Sequence, residues 1–212
     1  MIPRTRIKIC GLTRPEEVEW VARGGADALG LVFHPASPRH VSIEQARSLL
    51  HRIPPFLTAV GLFVDAPAAL IEAVLQQVPL QLLQFHGAET PAQCDQWQMP
   101  YIKVVRMRPG TDLVQYATDY PRAQALLVDA WVEGVPGGTG TVFDWHQLPQ
   151  QLPLPLILSG GLNPENVAQA MRLAHPWAVD VSSGVEQQPG CKDPQKIARF
   201  IQGVRNEDLR HA

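Results

Sequence analysis

Short runs of β-branched and other apolar residues recur along the chain: Ile7 to Cys10, Ala28 to Phe33, Thr58 to Val64, Leu80 to Phe85, Ile102 to Met107, Leu126 to Asp129, Leu154 to Leu158 and Ala178 to Val181. The eight runs are nearly continuous in apolar residues and do not alternate, as expected of strands covered on both faces. Between most of them lie stretches with helical periodicity, among them Pro15 to Arg23, Ile43 to His51, Pro67 to Gln77 and Pro164 to Leu173. Several open with a proline where a first helical residue would sit. Strand starts about 21 to 31 residues apart leave room for a crossover helix, so the sheet should be parallel. No Gly-x-Gly-x-x-Gly follows the first strand and no switch in strand order is visible, so eight βα units predict a closed (β/α)₈ TIM barrel. No linker interrupts the pattern, and one domain is expected over residues 1–212. The helical pattern is weakest from Trp131 to Val142, where Gly134, Pro136, Gly137, Gly138 and Gly140 predict a long functional loop.

Composition narrows the partners. A net charge of −2, with 18 scattered Lys and Arg, offers no basic stripe for nucleic acid, so an anionic ligand must be held by a local site. Apolar stretches such as Pro153 to Leu158 fall far short of the roughly 20 residues that span a bilayer. The charged N-terminus leads into a strand pattern without the apolar segment of a secretory signal, and a cytoplasmic location is expected. Cys10, Cys94 and Cys191 form no CxxC pair, which argues against a disulfide framework or a zinc site. No metal is predicted.

In a barrel the chemistry belongs at the carboxyl ends of the strands. The polar residues there are Cys10, Arg39, Asp65, His86, Arg106, Asp129, Ser159-Gly160-Gly161, and Asp180 with Ser182, Ser183 and Gly184. A cysteine at a strand end is commonly a small buried hydrophobe, and a single histidine such as His86 is commonly a hydrogen-bonded structural residue. Asp65, just before Ala66-Pro67, reads as a helix cap. Asp129 is harder to dismiss, because it ends an apolar strand and precedes the glycine-rich loop. The glycine clusters after the seventh and eighth strands carry the strongest physical signal: barrels commonly bind phosphate there through loop amides, although glycines also serve simple tight turns.

Lys8-Ile9-Cys10-Gly11-Leu12-Thr13 resembles the opening signature of phosphoribosylanthranilate isomerases. Phe33 to Arg39, Gln84-Phe85-His86-Gly87, Asp129 with Gly137-Gly138-Thr139-Gly140, Leu158 to Val167, Asp180 to Glu186 and Pro189 to Asp193 are similar to their later motifs, in order and over essentially the whole chain. Phe85 and Ser159 depart from the usual smaller aliphatic residue and alanine. The resemblance implies a ribulose-phosphate-binding barrel that carries out an Amadori rearrangement without a cofactor. The expected reaction is conversion of N-(5-phosphoribosyl)anthranilate to 1-(2-carboxyphenylamino)-1-deoxyribulose 5-phosphate, a step of tryptophan biosynthesis.

That chemistry gives the residues expected roles. Ring opening needs a proton delivered to the ring oxygen, assigned to Asp129; burial without a close cation suits that role, and a salt bridge to an arginine would defeat it. The resulting iminium acidifies the adjacent carbon, whose proton is assigned to Cys10 as base. The iminium itself could supply the positive charge a thiolate needs, and Lys8 is a poor candidate for a permanent partner because its direction depends on strand regularity. Arg39 resembles the family arginine that contacts the anthranilate portion, with His86 and Asp180 as further substrate-binding residues. Gly160, Gly161, Ser182, Ser183 and Gly184 form the expected phosphate site. A monomer is expected rather than a homodimer, although Trp97 or Trp177 would equally serve to cover a dimer interface or the barrel ends. The competing readings are the histidine-pathway aminoaldose isomerase, which would place an aspartate at Cys10, indoleglycerol-phosphate synthase, which would bring several lysines to strand ends, and a non-catalytic phosphate-binding barrel.

Overall fold

The computed structural model describes residues 4–51, 53–130, 145, 148–149 and 151–210. The segment predicted as a functional loop, 131–142, lies outside them, as do Gly137-Gly138-Thr139-Gly140. The strands are β1 (Arg6–Cys10), β2 (Ala28–Val32), β3 (Thr58–Phe63), β4 (Leu82–Phe85), β5 (Tyr101–Met107), β6 (Ala125–Ala130), β7 (Leu156–Leu158) and β8 (Ala178–Val181). All neighbours run parallel, and β8 returns to pair with β1, with Lys8 opposite Asp180. The sheet is therefore a closed barrel without an edge, as the eight apolar runs predict.

The helices are α1 (Pro15–Gly24), α2 (Ile43–Leu50), α3 (Ala68–Gln77), α4 (Pro91–Asp95), α5 (Leu113–Asp119), α6 (Val167–Ala174) and α7 (Pro194–Arg210). Local chemistry fixes their starts. The Ser42 hydroxyl accepts from the Gln45 amide while the Gln45 side chain returns to the Ser42 amide, and Thr90 with Gln93 repeats the arrangement before Pro91. Asp112 accepts from the amides of Val114 and Gln115. Asp65 departs from its expected role. The residue before α3 is Pro67, without a side-chain cap, and Asp65, at φ 46°, instead accepts from the Ala88 amide in the turn after β4. A proline fixes the entry to α3 by its own φ, leaving the carboxylate to join two neighbouring loops.

Strand alternation divides the apolar residues into two sets. One large cluster, including Ile7, Ile9, Leu29, Leu31, Val105, Leu126 and Val128, lies between the barrel and its helices. A smaller one, Ile102, Val104, Ala125, Leu127, Ile157 and Ala178, fills the barrel interior. After β8 come a 3₁₀ turn (Ser183–Val185) and a small antiparallel hairpin, β9 (Glu186–Gln188) with β10 (Cys191–Lys192). No helix among the described residues is long and apolar enough to cross a membrane.

Candidate active site

Nine of the ten residues singled out above line one cavity of ≈ 390 Å³: Cys10, Arg39, His86, Asp129, Gly160, Gly161, Asp180, Ser182 and Ser183. Gly184 does not line it and acts from behind. A β-carbon at Gly184 would lie 1.9 Å from the Leu162 carbonyl oxygen, so the turn after β8 presses its backbone directly on the loop after β7. Gly160 turns with φ +80°, and a β-carbon there would meet the Ala130 amide nitrogen at 2.4 Å and Asp129 Oδ1 at 3.1 Å. The two glycine loops and the end of β6 thus form one closely packed rim.

Asp129 points inward from β6 and is 6% exposed. Its Oδ2 lies 3.2 Å from His86 Nε2, a hydrogen bond whose direction depends on which partner carries the proton. The arginine that would spoil an acid is near but turned elsewhere. Arg106 sits opposite Asp129 in the strand register, yet its Nη2 donates to the His86 carbonyl at 3.3 Å, and no arginine among the described residues is ion-paired with Asp129. Gln84, two residues before His86, was not singled out by sequence. It lines the same cavity, is 1% exposed, and its Oε1 has no hydrogen-bond partner. In the sequence it is merely one polar residue in an apolar run.

Cys10 closes β1, and Lys8 is two residues behind it on the same inward face. Lys8 Nζ donates to Asp180 Oδ1 at 2.9 Å, and both side chains are almost wholly buried. Lys8, a poor candidate for a thiol partner in the sequence and of open role there, is thus bonded to a residue that lines the cavity, and β1 is regular to its end. Burial disfavours the Lys8 ammonium, but the charges of Asp180 and Cys10 outweigh that and hold its pKa above the ordinary lysine value. At Cys10 the balance goes the other way. Burial pushes the thiol up, and Lys8 and Lys192 only partly counter it, with Asp180 adding to the rise.

Arg39 is already engaged. Its Nε and Nη2 donate to the two carboxylate oxygens of Glu186, each at 2.8 Å, and Lys192 Nζ donates to Glu186 Oε1 at 2.7 Å. Burial would raise the Glu186 carboxyl, but the hydrogen bonds and charges of Arg39 and Lys192 hold it below the usual carboxylate range. Lys192 also donates to the Ser182 carbonyl at 3.1 Å, while the Ser182 hydroxyl donates to the Cys10 carbonyl at 3.0 Å. Glu17, fully buried, accepts from the Thr13 amide at 2.7 Å and the Lys192 amide at 2.8 Å. The β9–β10 hairpin therefore ties the loops after β1, β2 and β8 together. Lys192 and Glu186 were seen in the sequence only as parts of familiar motifs, because a pairing across the hairpin leaves no periodic signal.

A second cavity, ≈ 760 Å³, lies at the other end of the barrel among Arg4, Arg6, Leu154, Leu156 and Trp177. It is larger and more apolar, but it contains none of the residues above. Among the described residues, no three His, Cys, Asp or Glu side chains gather to hold a metal ion.

Residues 7–203 match a model of the family described as N-(5'phosphoribosyl)anthranilate (PRA) isomerase. An N-(5'-phosphoribosyl)anthranilate isomerase of Thiobacillus denitrificans is 56% identical over 196 residues, covering 92% of this chain and 96% of that one. Among solved structures, the phosphoribosyl anthranilate isomerase of Thermotoga maritima superposes with a TM-score of 0.86 at 39% identity, covering 95% of this chain and 99% of that one. A phosphoribosyl anthranilate isomerase in complex with reduced 1-(o-carboxyphenylamino)-1-deoxyribulose 5-phosphate superposes at 0.82 and 38% identity, with the same coverage.

Proposed function

Since the chain belongs to the N-(5'-phosphoribosyl)anthranilate isomerase family, we propose that Cys10 and Asp129 divide the base and acid work of that isomerisation. It is an aldose–ketose isomerase acting on a small molecule. Substrate and product are isomers, so proton transfers alone balance the reaction. The observation that carries the assignment is the common cavity: Cys10 and Asp129 line it from β1 and β6, and the glycine loops after β7 and β8 close one side.

The substrate phosphate sits against the amides of those loops, where Gly160, Gly161, Ser182 and Ser183 leave backbone accessible and Gly184 lets the two loops touch. Asp129 gives its proton to the ribose ring oxygen, and the ring opens to an iminium between nitrogen and C1. His86, bonded to Asp129, fixes the carboxyl's direction and faces the sugar. Cys10 then removes the C2 proton, which the positive nitrogen has made acidic, giving an enolamine that tautomerises to the ketone. Asp180 acts through its bond to Lys8 and through the sugar hydroxyls within reach of the cavity. Arg39 takes the anthranilate end: with two nitrogens fixed on Glu186, its guanidinium plane is held still and the remaining Nη1 is left for a carboxylate.

The test is turnover of freshly generated N-(5-phosphoribosyl)anthranilate, followed by loss of anthranilate-type fluorescence, for native chain, Cys10→Ser, Asp129→Asn and Arg39→Lys. The first two should lower kcat by about a thousandfold or more, roughly 4 kcal/mol of activation energy. Arg39→Lys should chiefly raise KM, by about tenfold. Native kcat in Cys10→Ser or Asp129→Asn would discard the corresponding role.

A further inference from the structure

Resting on the reading of Cys10 as the base, we propose that Lys8 is its positioning residue: a fixed ammonium, aimed by Asp180, that steadies the thiolate through proton removal. The geometry points there from three directions. Lys8 and Cys10 are two residues apart on β1 and face the same interior. Both side chains converge over Gly30 on the neighbouring strand, where a β-carbon would lie 2.7 Å from Cys10 Sγ and 3.2 Å from Lys8 Nζ. Asp180 holds Nζ from the far side at 2.9 Å. A buried pair of this kind is neutral at a distance but not close up, and its positive end is the one turned toward the sulfur.

The other charges near the thiol do not substitute for it. Lys192 faces Cys10 from the hairpin, but its ammonium is spent on Glu186 and the Ser182 carbonyl. Asp180, from β8, acts against the thiolate. The iminium of the substrate exists only after ring opening and disappears as the proton moves. Lys8 is the charge that is present before, during and after the step. In that step the C2–H bond breaks, its electron pair neutralises the iminium to the enolamine, and the proton passes to Cys10 Sγ. An ammonium at the sulfur lowers the energy of the thiolate that begins the step, in a site where burial alone would keep the sulfur protonated.

The decisive readout is the pH dependence of Cys10 alkylation by iodoacetamide, followed peptide by peptide by mass spectrometry, because it measures the thiolate without turnover. Removing only Lys8 leaves Asp180 buried and unpaired, so Lys8→Met is measured beside Lys8→Met/Asp180→Asn, which removes both charges and spares the fold that penalty. Thermal melts establish that the variants are folded. The alkylation midpoint should rise in the order native, double variant, Lys8→Met. The rate at neutral pH should fall about tenfold for each unit of rise, with kcat falling alongside. A folded double variant whose Cys10 profile matches the native one would overturn the proposal. Native kcat in Cys10→Ser would instead remove the base assignment, and the alkylation profiles would still decide whether Lys8 tunes the thiol.

Discussion

Two parts of the barrel interior do opposite things. On β5 and β6 the inward residues low in the barrel are Ile102, Val104, Ala125 and Leu127, packed with Ile157 and Ala178. Nearer the carboxyl ends than Ala178, β1 and β8 turn Lys8, Cys10 and Asp180 inward. The apolar side contributes stability, since fully burying a Val, Leu or Ile side chain is worth about 1.5–3 kcal/mol. The charged side contributes little or nothing net, because desolvating two charges offsets most of their attraction. On the proposal made above, the buried lysine and aspartate serve the neighbouring sulfur rather than the stability of the fold.

The sharpest way to break this division is to exchange the consequences. Leu127→Ala should lower unfolding free energy by about 3 kcal/mol in chemical denaturation and leave kcat near native, whereas Cys10→Ser should do the reverse. A large kcat loss in Leu127→Ala at a temperature where it is folded would show that the two sides are mechanically coupled. A smaller effect belongs to the hairpin. Glu186→Gln should cost about 2 kcal/mol near neutral pH, because Arg39 and Lys192 lose a shared buried anion. The Glu186 carboxyl is held below its ordinary range in the fold, so its stabilisation is complete above that range and is lost as pH falls through the folded value. The gap between native and variant melting temperatures should therefore close on acidification, and a gap that widens would reject the assignment. The smallest effect lies at the far end of β1, around the second cavity. The Arg6 guanidinium sits 3.6 Å above the centre of the half-exposed Trp177 ring, and Arg6→Ala should cost about 0.5–1 kcal/mol with no change in kinetics.

The barrel was legible in the sequence because parallel strands covered on both faces must be apolar throughout, and eight such runs leave few alternatives. Their ends shifted by one or two residues, as with Leu80 against the observed start at Leu82. That Asp129 and the glycine loops would line one cavity was legible because polar residues at strand ends stand out against an apolar run, whereas Cys10 was singled out only by the resemblance of its motif. What escaped was pairing. Lys8 and Asp180 are 172 residues apart and meet only because β8 closes on β1. Asp65 looked like a cap because it precedes a helix, yet the carboxylate serves the next loop along. Gln84 and Lys192 show the same limit: a side chain's partner is set by closure and by the hairpin, neither of which is written in local periodicity.

The contact at Gly184 bears on how this architecture can be altered. With the Leu162 carbonyl occupying the space of a missing side chain, the loops after β7 and β8 behave as a single inheritable part: a loop grafted from another barrel at one position meets a surface shaped for its original neighbour. Exchanges of specificity among barrels of this kind should therefore succeed when the two loops travel together and fail when either is moved alone.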